Sequence, residues 1–356
     1  MRYPEPPTPT QTNQENTVSY YSASDMRSHR QVDKDTRAAL AALAMAVLVL
    51  LTACSGTGDS ARTDAADHGA TASAAERTVD GEYGPVTLTG DVQRVVALSS
   101  DWLGTMAAVD APLVGYRTAG PAAPVDTPGW LRDTLPDDAD HITGELSAEQ
   151  VAALDPDLVV GPSWLIDRDM YAALSDIAPT FVDHEDSSET EFGAWERQLD
   201  NAGALLGTDT TPVKESLRDD IMATAESHHL NGYASLAVVQ GDQIAAVTSP
   251  EASVSRLLKP FGLSPVEIPG QRVGVRSMVS QEEASRLRDA DLLIIGPADA
   301  APEQLEPFTT GRTGKPTAVV PMAILNAFNT PDASSIPVLL DEISDAIDPD
   351  AAGRDE

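Results

Sequence analysis

Two stretches of the chain, LSAEQVAALDPDLVVG (residues 146–161) and VSQEEASRLRDADLLIIG (residues 279–296), share one pattern. In each, a serine is followed three positions later by Gln or Glu: Ser147 by Gln150 and Ser280 by Glu283. That spacing is a capping box, in which the serine and the later side chain each satisfy a backbone N–H of the other. A leucine at helical spacing follows (Leu154, Leu287), then an aspartate (Asp157, Asp291), then an apolar run ending in Gly161 or Gly296. Such a run, bounded by turn residues, reads as a buried strand. The copies differ by insertions, so they are corresponding parts of two lobes and not adjacent units of a solenoid. A short helix feeding a buried strand, twice, restricts the chain to an α/β architecture with two sheets.

The rest of the pattern agrees. From Val79 onward, short apolar runs (PVTLTG, RVVALS, LVGY, PTFV) alternate with helical segments (DWLGTMAAV, RDMYAALSDI, ETEFGAWERQLDNAGALLG). The segment PVKESLRDDIMATAESHHL is helical throughout, with Pro212 suited to a first turn and Asn231-Gly232 to its end. Alternation then resumes with SLAVVQ, QIAAVT, ASVSRLLKPF, PTAVV and a closing helix SIPVLLDEISDAI. The expected organisation is an N-terminal lobe at 79–211, a bridging helix at 212–231, a C-terminal lobe at 232–347 and a disordered tail at 348–356. Both lobes are Rossmann-like, with a ligand cleft between them.

Ahead of the lobes, RAALAALAMAVLVLLTAC joins a basic flank to an apolar run, Ala38 to Leu51, that stops at Cys54. The run is short for a membrane span and fits a signal-peptide core. Leu51-Thr52-Ala53-Cys54 resembles the lipobox of bacterial lipoproteins, which makes Cys54 the expected lipidated, palmitate-bearing N-terminus. Residues 1–53 are therefore read as a signal peptide with an N-terminal extension, translation being expected to start at Met26. Residues 54–78, small and polar, read as a flexible tether. Lipid chains contribute about 0.8 kcal/mol per buried CH₂, so several of them anchor firmly. Cys54 is the only cysteine, which excludes an intramolecular disulfide.

The formal net charge is −33, and residues 1–53 contribute none of it, having five Lys/Arg and five Asp/Glu. The acidity belongs to the lobes and tether. It repels nucleic acid and anionic headgroups and leaves neither as a main partner. It also means that an anionic ligand needs local positive charge to bind.

The lipobox, RVVALSSDWLGTMAAVDAPLVGY, LSAEQVAALDPDLVVG, the long helix and VSQEEASRLRDADLLIIG together resemble a substrate-binding lipoprotein of an ABC importer, of the iron–siderophore/cobalamin class. The resemblance runs from about Val79 to Ile347. It implies two lobes joined by a rigid helix, a bound ferric siderophore, and one docking glutamate per lobe for the arginines of an ABC permease dimer. By position these glutamates are Glu149 and Glu282. It also implies a monomer on the extracytoplasmic face of the cell membrane, with no cofactor and no metal held by the protein directly. Near the C-terminus the family often has an aromatic residue and a glycine-rich turn; here the segment is NAFNTPDASSIP, without glycine.

Ligands of open α/β sheets lie beyond the carboxyl ends of the strands. Residues after the first lobe's strands include Trp102, Arg117, Ser163, Trp164, Asp183 and His184; in the second lobe Arg276, Asp299, Asn326 and Asn329 take comparable places. A ferric chelate is bulky and often anionic, so aromatic walls and guanidinium groups suit it. Trp102, Arg117, Trp164, Arg276, Asn326 and Asn329 are the expected ligand contacts.

Other functions compete. Cobalamin or haem could occupy the same cleft, and a surface-tethered sensor would bind without passing the ligand on. A protein-held metal needs converging His and carboxylates, and only His141 and His184 of the six histidines fall near strand ends. Dinucleotide-binding, P-loop and nucleophile-elbow motifs are absent, so the chain is not expected to be an enzyme.

Overall fold

The structure, a computed structural model, describes residues 76–119, 126–132, 134–184, 192–241, 243–268, 272–280, 283–297, 302–312 and 314–349. A hairpin of β1 (Glu76–Gly81) and β2 (Gly84–Thr89) comes first, and alternate residues on it are buried, as the two-residue period of a half-covered strand requires. The first lobe continues through β3 (Val95–Ala97), α1 (Ser100–Ala108), β4 (Leu113–Tyr116), α2 (Gly129–Arg132) and β5 (Asp140–His141). It closes with α3 (Ala148–Ala152), β6 (Leu158–Pro162), α4 (Arg168–Ser175), β7 (Thr180–Asp183) and α5 (Ala194–Leu206). Its sheet is wholly parallel, in the order β5-β4-β3-β6-β7. Strands β3, β6 and β7 are buried at every position, the mark of a parallel sheet covered on both faces.

Helix α6 (Thr211–Ser227) then carries the chain about 25 Å into the second lobe. The sequence pattern extends this helix to 231. The structure ends it at Ser227, because Leu230 N–H already donates to Phe261 of the second lobe at 2.8 Å. That lobe comprises β8 (Gly232–Gln240), β9 (Gln243–Val247), α7 (Ser253–Leu258), β10 (Leu263–Pro265), β11 (Arg272–Val273) and β12 (Arg276–Val279). It continues with α8 (Ala284–Asp289), β13 (Leu292–Pro297), α9 (Glu306–Thr309), β14 (Thr317–Val319), α10 (Met322–Asn329) and α11 (Ile336–Ile347). Its sheet has the order β11-β12-β9-β8-β13-β14, with β10 beside the start of β8. Strands β8, β10, β13 and β14 are parallel, while β9, β11 and β12 add antiparallel pairs.

The repeated phrase folds alike in both lobes. Ser147 and Gln150 form the reciprocal capping box at α3. Ser280 N–H donates to Glu283 at 3.2 Å, and Glu283 N–H donates to the Ser280 hydroxyl at 3.3 Å, one turn ahead of α8. The aspartates staple a neighbouring strand. Asp157 accepts from the N–H groups of Gln93 and Arg94, which lead into β3, and Asp291 accepts from Tyr233 N–H in β8. Gly232 has to be glycine there: its φ is +153°, and a Cβ would lie 1.8 Å from Asp291 Oδ2. An arginine closes the other end of each helix. Arg94 donates to the carbonyls of Leu154 (2.6 Å) and Asp155 (2.7 Å), and Arg312 donates to that of Ala290 at 2.9 Å.

The described residues form one unit, and its apolar core runs across the seam between the lobes. Trp195 and Leu199 of α5 and Leu217 and Ile221 of α6 belong to one buried cluster with Leu325 and Phe328 of α10 and Ile336, Leu339 and Ile343 of α11. Each such side chain stabilises by about 1.5–3 kcal/mol on burial. The lobes also touch directly where Gly104 of α1 meets Asp332, in the loop between α10 and α11.

Candidate ligand cleft

The carboxyl ends of the first lobe's strands open onto a cleft of about 270 Å³ that is walled on its other side by the second lobe. Strand β6 delivers Ser163 and Trp164 to it, and β7 delivers Asp183 and His184. From α5 come Arg197 and Gln198, and from the second lobe Arg276 at the start of β12 and Asn329 at the end of α10. Asp101, on the first turn of α1, lies at its base. The volume is at the small end for ligand pockets, so a bulky guest would be gripped over part of its surface and left wet over the rest.

Two arginines therefore line one space from opposite lobes. Arg197 Nε stands 3.6 Å from Asp183 Oδ1, beyond good hydrogen-bond distance, and its terminal NH₂ donates to the His184 carbonyl at 3.3 Å. Asp183 also accepts from His184 N–H at 2.9 Å. Burial pushes the Asp183 carboxyl above the usual range; Arg197 pulls it back, and the nearby Asp101 adds to the push. Asp101 is raised by its own burial, against hydrogen bonds from Ser99 and Gln198. Gln198 Nε2 donates to Asp101 Oδ2 at 2.7 Å, while its Oε1 accepts from the Thr105 hydroxyl at 3.2 Å. Asp332, just across the seam, is pushed up to about 7 by complete burial, although Ser334 and Ser335 donate to it. His184 Nδ1 lies 3.1 Å from Glu82 Oε2, with both side chains more than a third exposed.

Of the ligand contacts expected from sequence, Trp164, Arg276 and Asn329 meet in the cleft. Trp102 does not: it is 0% exposed inside the first lobe and packs edge-on to Phe181 at 5.5 Å. It follows β3 in sequence, but it falls on the inward face of α1. Arg117 also stands outside the lining, where it donates to the Gly144 carbonyl at 2.6 Å. Asn326 is 2% exposed on α10 and borders a separate small cavity with Trp130, Asp101 and Asp332. Glu149 is exposed on the first turn of α3. Cys54, Glu282 and Asp299 lie outside the described residues, as do the signal-peptide and tether segments. Among the described residues no helix is long and apolar enough to cross a membrane, and no group of His, Cys, Asp and Glu could hold a metal ion.

Sequence reasoning missed Arg197, Gln198 and Asp101. Arg197 and Gln198 lie on α5, well past the end of β7, where a search of strand ends does not reach, and beside β3 the search took Trp102 instead of its neighbour Asp101. The available signal was a polar run, Glu196-Arg197-Gln198, between the buried Trp195 and Leu199.

No family model matches the chain. The ferric enterobactin-binding periplasmic protein FepB of Escherichia coli O6:H1 is 28% identical over 208 residues, 54% of this chain and 63% of FepB. The chain thus spans under two thirds of that relative's length. A periplasmic solute binding protein from Mycobacterium smegmatis superposes with a TM-score of 0.61 at 22% identity, over 77% of this chain and 98% of that one. Staphylococcus aureus SirA, solved with staphyloferrin B, gives 0.60 at 17% identity, over 76% and 98%. The catecholate-siderophore binding protein VctP from Vibrio cholerae gives 0.57 at 18%, over 76% and 99%. The chain has the two-lobed α/β fold of these periplasmic solute-binding proteins.

Proposed function

We propose that the chain is an extracytoplasmic solute-binding lipoprotein that captures a ferric siderophore and delivers it to an ABC permease. The observation that carries this reading is the meeting of Arg197 and Arg276, from opposite lobes, with Trp164 in one cleft. Guanidinium groups tolerate partial desolvation and pair with the oxygens of an anionic chelate, and an indole face covers its apolar part. FepB is named for ferric enterobactin, VctP for catecholate siderophores, and SirA was solved with staphyloferrin B, which supports the substrate class but leaves open which chelate this chain takes. In this reading the protein works as a monomer without a cofactor of its own. Lipid on Cys54 holds it at the membrane, and Glu149 and Glu282 dock one lobe each on the two permease subunits. It captures and releases its guest without chemical change.

Fluorescence titration tests the capture step. Ferric catecholate, hydroxamate and carboxylate chelates, cobalamin and haem are each added to the protein. An anionic ferric chelate is expected to quench saturably, and Trp164→Phe to remove most of the response, because Trp102 and Trp195 are fully buried and Trp130 borders the separate small cavity and not the cleft. Saturable binding of cobalamin or haem alone would overturn the siderophore assignment.

A further inference from the structure

Two acids sit in the cleft that this reading gives to an anion, and one of them has no cation beside it. Asp101 lines the cleft and is 6% exposed. The hydrogen bond from Thr105 orients the Gln198 amide, so that its NH₂ group faces Asp101. Among the described residues no Lys, Arg or His lies within ion-pair distance of Asp101. The charged groups around it are Asp183 with Arg197 on the first lobe, Asp332 across the seam, and Arg276 and His184 elsewhere in the cleft. Asp183 has its counter-charge at 3.6 Å, Asp101 has none, and both carboxyls are already displaced upward by burial.

An anion seated here is poorly screened from these acids, because the cleft wall has replaced most of the water. If the guest also engages Arg197, Asp183 shares its counter-charge and the strain on the pair grows. A buried carboxylate answers a new negative neighbour by binding a proton. Once protonated it is an O–H donor, and repulsion from the guest's oxygens becomes a hydrogen-bonding opportunity.

We propose that seating an anionic chelate in the cleft is coupled to uptake of a proton from solvent by Asp101. The proposal rests on the anionic-chelate reading and deepens it: Asp101 becomes a residue that sorts guests by charge, since an uncharged guest recruits no proton.

Calorimetry distinguishes the two claims. The protein is titrated slightly above neutral pH with a trianionic ferric tris-catecholate and with an uncharged ferric trihydroxamate, in phosphate and in Tris, whose ionisation enthalpies differ. For the trianion, the difference in heats is expected to report uptake of up to about one proton, with affinity falling up to about tenfold per pH unit as pH rises. For any uncharged chelate that binds, the heats in the two buffers agree. Asp101→Asn is expected to abolish the buffer dependence while the trianion still binds, and His184→Gln to leave it intact. Trianion binding with equal heats in both buffers overturns the proposal, as does a dependence that survives Asp101→Asn or vanishes in His184→Gln. Should Asp101→Asn fail to fold, Asp183→Asn decides between the two cleft acids: a buffer dependence that persists in it is expected, and one that vanishes in it overturns the proposal. Failure of every anionic chelate to bind in any buffer is a different result, and it sinks the capture reading itself.

Discussion

At the scale of single residues, position relative to a strand end was legible for Trp164, and chemistry was legible for Arg276. Trp102 and Arg117 satisfied the same rule and still fell outside the cleft, because a strand end says where the chain turns and not which way the next side chain points. Arg197 obeys a tertiary logic: α5 lies against the cleft with Trp195 and Glu196 buried, and Arg197, two positions after Trp195, lines the cleft. Its loose contact with Asp183 leaves the guanidinium available. Hydrogen bonds to charged groups contribute roughly 1.5–3 kcal/mol. Arg197→Ala is therefore expected to weaken a trianionic ferric chelate by about one to two orders of magnitude in calorimetry, and an uncharged chelate far less; equal losses for both would argue against a charge contact. A second expectation concerns Asp332. Its carboxyl is pushed from 3.8 up to about 7 by burial, so the folded state holds its proton where the unfolded chain has released it. The Asp332 contribution thus falls as pH rises from about 4 to about 7 and is level outside that window. Asp332→Asn keeps an oxygen for the Ser334 and Ser335 donors. Urea denaturation across that range is expected to show a shallower decline in the variant; matching profiles would show that the buried acid titrates as in the unfolded chain.

At the scale of elements, the capping boxes and buried strands of the repeated phrase were legible because their signals are local: a serine, a Gln or Glu three positions on, an apolar run. What was not legible is instructive. The sequence places Asn326 and Asn329 beyond a strand end, yet β14 stops at Val319 and both asparagines lie on α10, which begins at Met322. A short apolar run cannot distinguish a buried strand from a buried helix. The strand β9 was expected as QIAAVT, but its antiparallel direction and that of β11 and β12 were hidden, since pairing direction leaves no trace in composition. Gly104 shows the same limit. In sequence it is a mild fault inside a helix. In the fold it is the point where α1 lets the second lobe approach, with space for no more than a hydrogen: a Cβ would lie 2.0 Å from Asp332 Oδ1. Gly104→Ala would gain helix propensity of about 0.8–1 kcal/mol and force the seam apart, at a cost of about 1–3 kcal/mol for overpacking. The seam is expected to decide the sign. Thermal denaturation should show a lowered Tm, whereas a raised Tm would mean that the loop around Asp332 yields freely.

At the scale of the whole molecule, the two-lobe plan was legible because a phrase occurring twice implies a sheet for each copy, and among the described residues each lobe has its own main sheet, beside the β1–β2 hairpin, with no strand pairing between them. The continuous core beneath the seam makes the lobes a single body holding two surfaces at a set distance. That is what a protein needs if it must touch both halves of a permease at once. The expected contacts are the two acids that hold matching places in the repeated phrase, Glu149 and Glu282. Glu149 is on α3, whose far end Arg94 clasps; Glu282 belongs to the corresponding turn of the second lobe by sequence. Glu149 is not among the residues that line the cleft, and charge at the docking positions and affinity for the guest are expected to be separable. The double substitution Glu149→Arg and Glu282→Arg, in a strain that depends on this protein for iron, is expected to abolish uptake of the ferric chelate while calorimetric affinity stays within about twofold, as independent sites require. Each single substitution should cost less, because a two-point contact loses avidity stepwise. Uptake that survives the double reversal would remove the docking role from both glutamates and leave their helix-end positions to the dipole alone.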